Sequence, residues 1–204
     1  MYGAAVRLIG LTGGIATGKS TVAAMLATHG AALVDADVLA REVLVPGAPA
    51  YAEVVERFGA SLLEDSGAVD RAALGAAVFA DPALRAELEQ ITHPRINALM
   101  QERILEALES ATPLVVADIP LLFERGREDS FEGTMLAYAP AMVQLQRLRE
   151  RDGLADRDAQ LRLAAQMSIE EKRDRATWVI DNSGSRESTA AQVDEWWDRI
   201  VDRA

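Results

Sequence analysis

Residues 13–20 read Gly-Gly-Ile-Ala-Thr-Gly-Lys-Ser. They fit the pattern G-x-x-x-x-G-K-[ST], with Gly13, Gly18, Lys19 and Ser20 at the fixed positions. An apolar, strand-like run (Val6, Leu8, Ile9, Leu11) precedes the motif and a helix-like one (Val22, Met25, Leu26) follows it. In that setting the motif is an anion trap. A glycine-rich turn aims successive backbone N–H groups inward, and the next helix adds its positive end. Lys19 then reaches the β- and γ-phosphates, and the Ser20 hydroxyl ligates Mg²⁺. The plain alternative is a glycine-rich turn with an exposed lysine; the flanking strand and helix favour the trap.

Strands alternate with helices along the chain. Val6–Leu11, Ala31–Asp35, Leu114–Ile119, Thr134–Tyr138 and Trp178–Asp181 read as strands. Helical patterns cover Lys19–His29 (with Gly30 as its C-terminal stop), Ala141–Arg151, Asp156–Met167, Ile169–Ala176 and Arg186–Arg203. Residues 38–110 are mostly helical, broken at Pro46-Gly47, Gly59, Gly67 and Asp81-Pro82. This pattern predicts an α/β fold, a parallel sheet covered by helices on both faces, with ligands beyond the carboxyl ends of the strands. A length of 204 residues suits one such domain. The 38–110 block is too long for a simple crossover and reads as an inserted substrate-recognition element. The arginine-rich helices over 141–170 read as a movable lid. Val193, Trp196, Trp197, Ile200 and Val201 share one helical face, which suits core packing better than a nucleotide stack.

Composition removes other classes. The chain has no cysteine, so disulfides, thiolate catalysis and cysteine-based zinc sites are excluded. A net charge of -11 argues against nucleic acid and anionic membrane as partners. No apolar run is long enough to span a bilayer. The first strand begins so early that it leaves no room for a signal peptide, and a cytoplasmic location is expected. Of the 21 basic residues only Lys19 and Lys172 are lysines. Arginine suits a bidentate grip on phosphate, but base composition of the genome explains the skew as well.

Several side chains compete for chemical roles. Asp35 ends the second strand and Asp37 lies just past it. Asp37 is placed either to accept a proton from an attacking hydroxyl or to cap the next helix. Asp35 is expected to orient the loop or a metal-bound water. Asp118 ends the third strand, where it either belongs to a Mg²⁺ shell or forms the turn before Pro120. Arg147 and Arg151, four apart, share a helix face and either close over a triphosphate or lie on a solvated surface. His93 has no second histidine nearby, so metal binding is not expected of it.

These residues, taken together, resemble the dephospho-coenzyme A kinase family. The matching stretches are Gly10–Ile15 leading into Gly18–Thr21, Asp35-Ala36-Asp37 with Ala40-Arg41, Thr92–Ile96, and Asp118–Glu124. Further on come Gln144–Leu148 with Arg151-Asp152, Ala165-Gln166-Met167, and Val179–Gly184. The resemblance implies an adenylate-kinase-like P-loop fold with a core, a coenzyme A-binding helical region and a lid. It implies transfer of the ATP γ-phosphoryl group to the ribose 3′-hydroxyl of dephospho-CoA. Asp37 is then the general base, Lys19 steadies the phosphates, Ser20 holds Mg²⁺, and Arg147 is a lid arginine. Gly13, Gly14, Ile15, Ala16, Thr17, Gly18 and Thr21 line the ATP phosphates, and Asn182 with Gly184 lies near the adenine. Thr12, His93, Leu121, Leu122 and Phe123 border the acceptor. The partners implied are ATP and dephospho-CoA, with the chain a monomer or small homo-oligomer.

Two positions depart from the family pattern. Ala16 and Thr17 replace an inner Gly-Ser; Ala16 is costly only if its φ is positive. Thr177-Trp178 stands where the family often has Asp-Tyr or Asp-His. Rival readings are a nucleoside or nucleotide kinase on the same scaffold and a nucleotide-binding regulator without turnover. A GTP-dependent switch would need Asn/Thr-Lys-x-Asp, which is absent because Glu171 precedes Lys172.

Overall fold

The computed structural model describes residues 7–201; Val6 of the expected first strand and Arg203 of the expected last helix lie outside them. In chain order the elements are β1 (Leu8–Gly13), α1 (Lys19–Thr28), β2 (Ala32–Asp35), α2 (Ala36–Glu42), α3 (Tyr51–Phe58), α4 (Arg71–Ala80) and α5 (Pro82–Glu109). They continue with β3 (Val115–Asp118), β4 (Gly133–Tyr138), α6 (Ala141–Asp152), α7 (Asp156–Ala164), α8 (Ile169–Arg175), β5 (Trp178–Asp181) and α9 (Arg186–Ile200). The chain separates into two compact units, one running to Val34 and resuming at Glu106, the other Asp35–Leu105.

The first unit is built on a five-stranded sheet of order β2-β3-β1-β4-β5. β1 runs parallel to both β3 and β4, and β4 runs parallel to β5. The strand period of two is visible in β4. Met135 and Ala137 join the cluster made with Val22 and Leu26 of α1 and Val193, Trp196 and Trp197 of α9. Leu136 and Tyr138 pack instead with Ile169 of α8. Both faces are therefore covered, as the alternating pattern requires. Each fully buried Leu or Ile in this core contributes about 1.5–3 kcal/mol. The two tryptophans are core residues: Trp196 meets Trp178 edge-on at 5.3 Å, and His29 stacks on Trp197 at 5.0 Å.

Several boundaries differ from the sequence expectation: β1 runs on to Gly13, β3 is the shorter Val115–Asp118 and α9 ends at Ile200, while two further shifts have identifiable reasons. β4 starts one residue early because Gly133 still pairs with Ile9 of β1; the Trp178 ring fills the space above it, so that a Cβ there would lie 2.4 Å from the ring. α7 stops at Ala164 instead of running to Met167. Past its end, Gln166 turns its side chain to Ile15, Met167 N–H donates to Glu124, and Ser168 caps α8 by accepting from Glu171 N–H.

The second unit has its own small core, Val54, Val69 and Leu74 packed with Tyr51, Phe58, Leu63 and Leu88. Leu63 and Val69 form an antiparallel bridge, a short β contact inside a region read as helical. α5 continues through Pro94, which removes one donor from the helical ladder. The neighbouring Arg95 guanidinium donates to the Ile91 carbonyl at 2.6 Å.

Candidate active site

β1 delivers Gly13 to the start of the loop, and the loop closes on itself. Thr17 donates both its N–H and its hydroxyl to the Gly14 carbonyl, at 3.2 and 2.9 Å. Two residues take left-handed backbone conformations, Ala16 at φ 59° and Gly18 at φ 82°. Gly18 has a second requirement: a Cβ there would lie 2.1 Å from the Asn182 amide nitrogen. α1 follows with no side-chain cap and no acidic residue in its first turn. Asp35, Asp70, Ser168 and Ser185 cap α2, α4, α8 and α9, whereas α3, α6 and α7 also begin without a side-chain cap; what sets α1 apart is its place directly after the glycine-rich loop. The positive end of α1 is thus left open for an anion.

Lys19 is the first residue of α1, and its ammonium pairs with Asp118 at the end of β3, side chains 18% and 5% exposed. The parallel register puts Leu11 opposite Asp118, so the sheet itself brings this carboxylate beside the loop. Ser20, next in the first turn, is exposed. Thr12 is buried and donates its hydroxyl to the Pro120 carbonyl at 3.1 Å.

Four side chains from distant parts of the chain hold the loop. Asn182 donates its amide to the Thr17 carbonyl at 2.7 Å and accepts from the Thr189 hydroxyl at 2.9 Å. Arg147 donates to the Asn182 carbonyl at 2.7 Å, and its other terminal nitrogen faces the Ala16 and Thr17 carbonyls at 3.5 and 3.4 Å. Gln166 accepts from the Ile15 N–H at 2.8 Å. Lys172 is buried and reaches the Gly13 carbonyl at 3.2 Å. Arg151 does not join this group; it is 62% exposed and pairs with Asp152. The expectation of a same-face arginine pair therefore reduces to Arg147 alone, since the Asp152 carboxylate next in sequence binds Arg151.

Gln166 and Lys172 were not singled out as site residues. Lys172 had one usable sign, its being one of two lysines in the chain.

The remaining residues fall as follows. The cap of α2 is Asp35, whose carboxylate accepts from Asp37 N–H at 2.7 Å and Val38 N–H at 3.3 Å. This corrects the capping alternative for Asp37, because β2 runs to Asp35 and the helix starts one residue later. Asp37 lies in the first turn of α2 with its side chain exposed. His93 is half-buried within α5. Leu121 is half-buried, whereas Leu122 and Phe123 are buried, and the Arg175 guanidinium lies over the Phe123 ring at 5.1 Å. Gly184 is exposed, in a turn where Ser183 N–H donates to Asp181 at 2.8 Å. At the end of β4 the Tyr138 hydroxyl donates to Glu170 at 2.7 Å, and this bond, with burial, holds its pKa above the usual phenol range. Among the described residues no three acidic or histidine side chains converge as a metal-binding cluster.

A model of the family described as dephospho-CoA kinase matches residues 7–188. A dephospho-CoA kinase of Anaeromyxobacter dehalogenans is 49% identical over 93% of this chain and 90% of its own length. One of Geobacter metallireducens is 47% identical over 96% of this chain and 98% of its own. The solved dephospho-CoA kinase of Campylobacter jejuni superposes with a TM-score of 0.71 at 30% identity, covering 96% of this chain and 97% of that one. The α/β fold with its open helix end, and a match that extends over nearly the whole length, agree: this chain belongs to the dephospho-CoA kinase family.

Proposed function

We propose that this protein transfers the γ-phosphoryl group of ATP to the ribose 3′-hydroxyl of dephospho-CoA, yielding ADP and coenzyme A. The observation that carries the chemistry is the uncapped start of α1, with Lys19 in its first turn and four side chains fixing the loop before it. A triphosphate seated there meets oriented N–H groups, and Lys19 exchanges its carboxylate partner for phosphate oxygens. Asp37 takes the proton of the 3′-hydroxyl as its oxygen bonds to the γ-phosphorus and the bond to ADP breaks. Positioning and charge neutralisation supply most of the rate, since in-line phosphoryl transfer needs little covalent help. Arg147, on α6, contributes positive charge at the loop; the helices over 141–170 serve as the lid and exclude water.

The hydroxyl of Ser20 and the carboxylate of Asp118 are hard oxygen donors. They suit Mg²⁺, which takes its other ligands from phosphate and water. Bound there, it neutralises phosphate charge. The acceptor is assigned to Thr12, His93 and the Leu121–Phe123 segment, with the helices of 38–110 as the recognition element. Leu121 offers surface, while Leu122 and Phe123 shape the wall behind it. Asn182 acts on the loop that holds the phosphates, and Gly184 is placed on the adenine side. We place the reaction in the cytoplasm, carried out by a monomer or small homo-oligomer.

The test is mass-spectrometric detection of coenzyme A after incubation with dephospho-CoA, ATP and Mg²⁺, run beside Asp37→Asn. The variant is expected to lose about 10²–10⁴ in kcat with little change in ATP affinity. Near-normal kcat removes Asp37 as base. Turnover of a nucleoside with none on dephospho-CoA rejects the acceptor.

A further inference from the structure

The chain holds nineteen arginines and two lysines, and both lysines touch the phosphate loop. Lys19 belongs to the motif. Lys172 comes from α8, 159 residues beyond Gly13, and its side chain is 0% exposed. Its ammonium has three oxygen neighbours: the Gly13 carbonyl at 3.2 Å, the Pro120 carbonyl at 3.4 Å and Glu124 Oε1 at 2.7 Å. An ammonium has three donors and no acceptor, so this set uses it completely. A guanidinium has a planar fork and cannot serve three oxygens around one point.

The three oxygens mark the parts that build the site. Gly13 is the last residue of β1 and the first of the loop, and its carbonyl direction sets the following peptide plane. Pro120 lies two residues past Asp118 and also accepts from Thr12. Glu124 in turn accepts from Met167 N–H at 3.3 Å, just before the Ser168 cap of α8. A buried pair of this kind is weak evidence for a role in stability. Glu124 Oε2 is buried without a hydrogen-bond partner, and well-packed apolar residues commonly replace such buried pairs without loss.

We propose that Lys172 is a positioning residue for the nucleotide: its ammonium locks the Gly13 carbonyl to the end of β3 and to α8, holding the loop in the form that receives a triphosphate. This rests on the kinase reading above only for the identity of the ligand. A loop that holds its receptive form only about 1–10% of the time binds its ligand about 10-fold to 100-fold more weakly. Lys172→Met removes the tie but strands Glu124 as a buried charge, so loss of binding alone would be ambiguous. Lys172→Met with Glu124→Gln removes the charge on both sides.

ATP binding is measured by titration calorimetry without acceptor, beside thermal unfolding, for wild type, the single and the double variant. The double variant is expected to regain most of the unfolding temperature that the single variant loses, yet to bind ATP about 10-fold to 100-fold more weakly than wild type. Lys172→Arg is expected to keep the charge and still bind weakly. Wild-type ATP affinity in the double variant overturns the proposal, because the pair would then serve the fold alone. Failure of all three variants to fold overturns it in the same way. Wild-type protein that binds ATP but does not act on dephospho-CoA would sink the acceptor assignment and leave this one standing.

Discussion

Replacing Asn182 with alanine is expected to destabilise the protein by about 2 kcal/mol and to weaken ATP binding. Asn182 is buried, and its amide is the donor closest to the Thr17 carbonyl, at 2.7 Å. Truncation leaves that carbonyl with only the distant Arg147 nitrogen at 3.4 Å. An orphaned buried acceptor costs about 1–3 kcal/mol. The other partner loses less, because the Thr189 hydroxyl also reaches the Ser185 carbonyl at 3.2 Å. For a chain of this size about 2 kcal/mol lowers Tm by roughly 4–8 °C. Asn182→Asp separates the hydrogen bond from shape. The carboxylate fits the same space but presents an oxygen to the Thr17 carbonyl. Burial and that carbonyl both disfavour its charged form, so its folded pKa rises above the unfolded value of about 3.9. Below the unfolded value the carboxyl is protonated in both states and can donate, so Asn182→Asp stays near wild type there. Relative stability then falls as pH rises towards the folded pKa and levels off above it. The assay is denaturant unfolding of wild type and both variants at several pH values, with ATP titrations at neutral pH. An aspartate variant as stable as wild type at pH 8 would refute the reasoning, as would an alanine loss under about 0.5 kcal/mol.

Two further substitutions test other features. Ala16 has φ 59°, so Ala16→Gly relieves about 1 kcal/mol of strain while extra freedom of the unfolded chain takes back about 0.4–1 kcal/mol. Stability within about 1 kcal/mol of wild type by urea midpoint is expected, against a loss of about 2 kcal/mol for the β-branched Ala16→Val; equal losses in both would disprove the strained backbone. The hydrogen bond from Arg175, with a backbone N–H, holds the Glu128 carboxyl below the usual glutamate range. Its contribution is complete above the unfolded value and disappears as pH falls through the lower folded value. Glu128→Gln should therefore flatten the acid side of the stability–pH curve, and an unchanged slope counts against the pair.

The phosphate loop was legible because its residues are consecutive and its physics is local. β5 and the start of α1 were legible because apolar runs sit between clear stops. Asp118 could be placed at a strand end for the same reason. The identity of the α2 cap was not legible. Asp35 and Asp37 are equally good caps, and only the end of β2 decides between them. The supports of the loop were hidden by distance: Gln166 and Lys172 meet it across 151 and 159 residues, and neither the family stretch around Gln166 nor the rarity of Lys172 says what it touches. Arg147 and Arg151 were indistinguishable by spacing, and the neighbouring Asp152 separates them. The burial of Leu122 follows from Gly10, where a Cβ would lie 2.5 Å from its methyl group, a contact between β1 and the turn after β3 that no linear pattern carries.

The ammonium at the head of α1 does not wait idle for its ligand, since the acid at the tip of β3 already engages it. Any incoming anion must outbid a resident one, so singly charged ions gain little foothold and a polyphosphate is selected by its multiplicity. Success also leaves a shielded acid without its counter-charge, which is costly. On the proposed assignment of Mg²⁺ to Ser20 and Asp118, a guest bringing its own divalent cation repairs that deficit as it enters, which would favour a metal–nucleotide pair over either component.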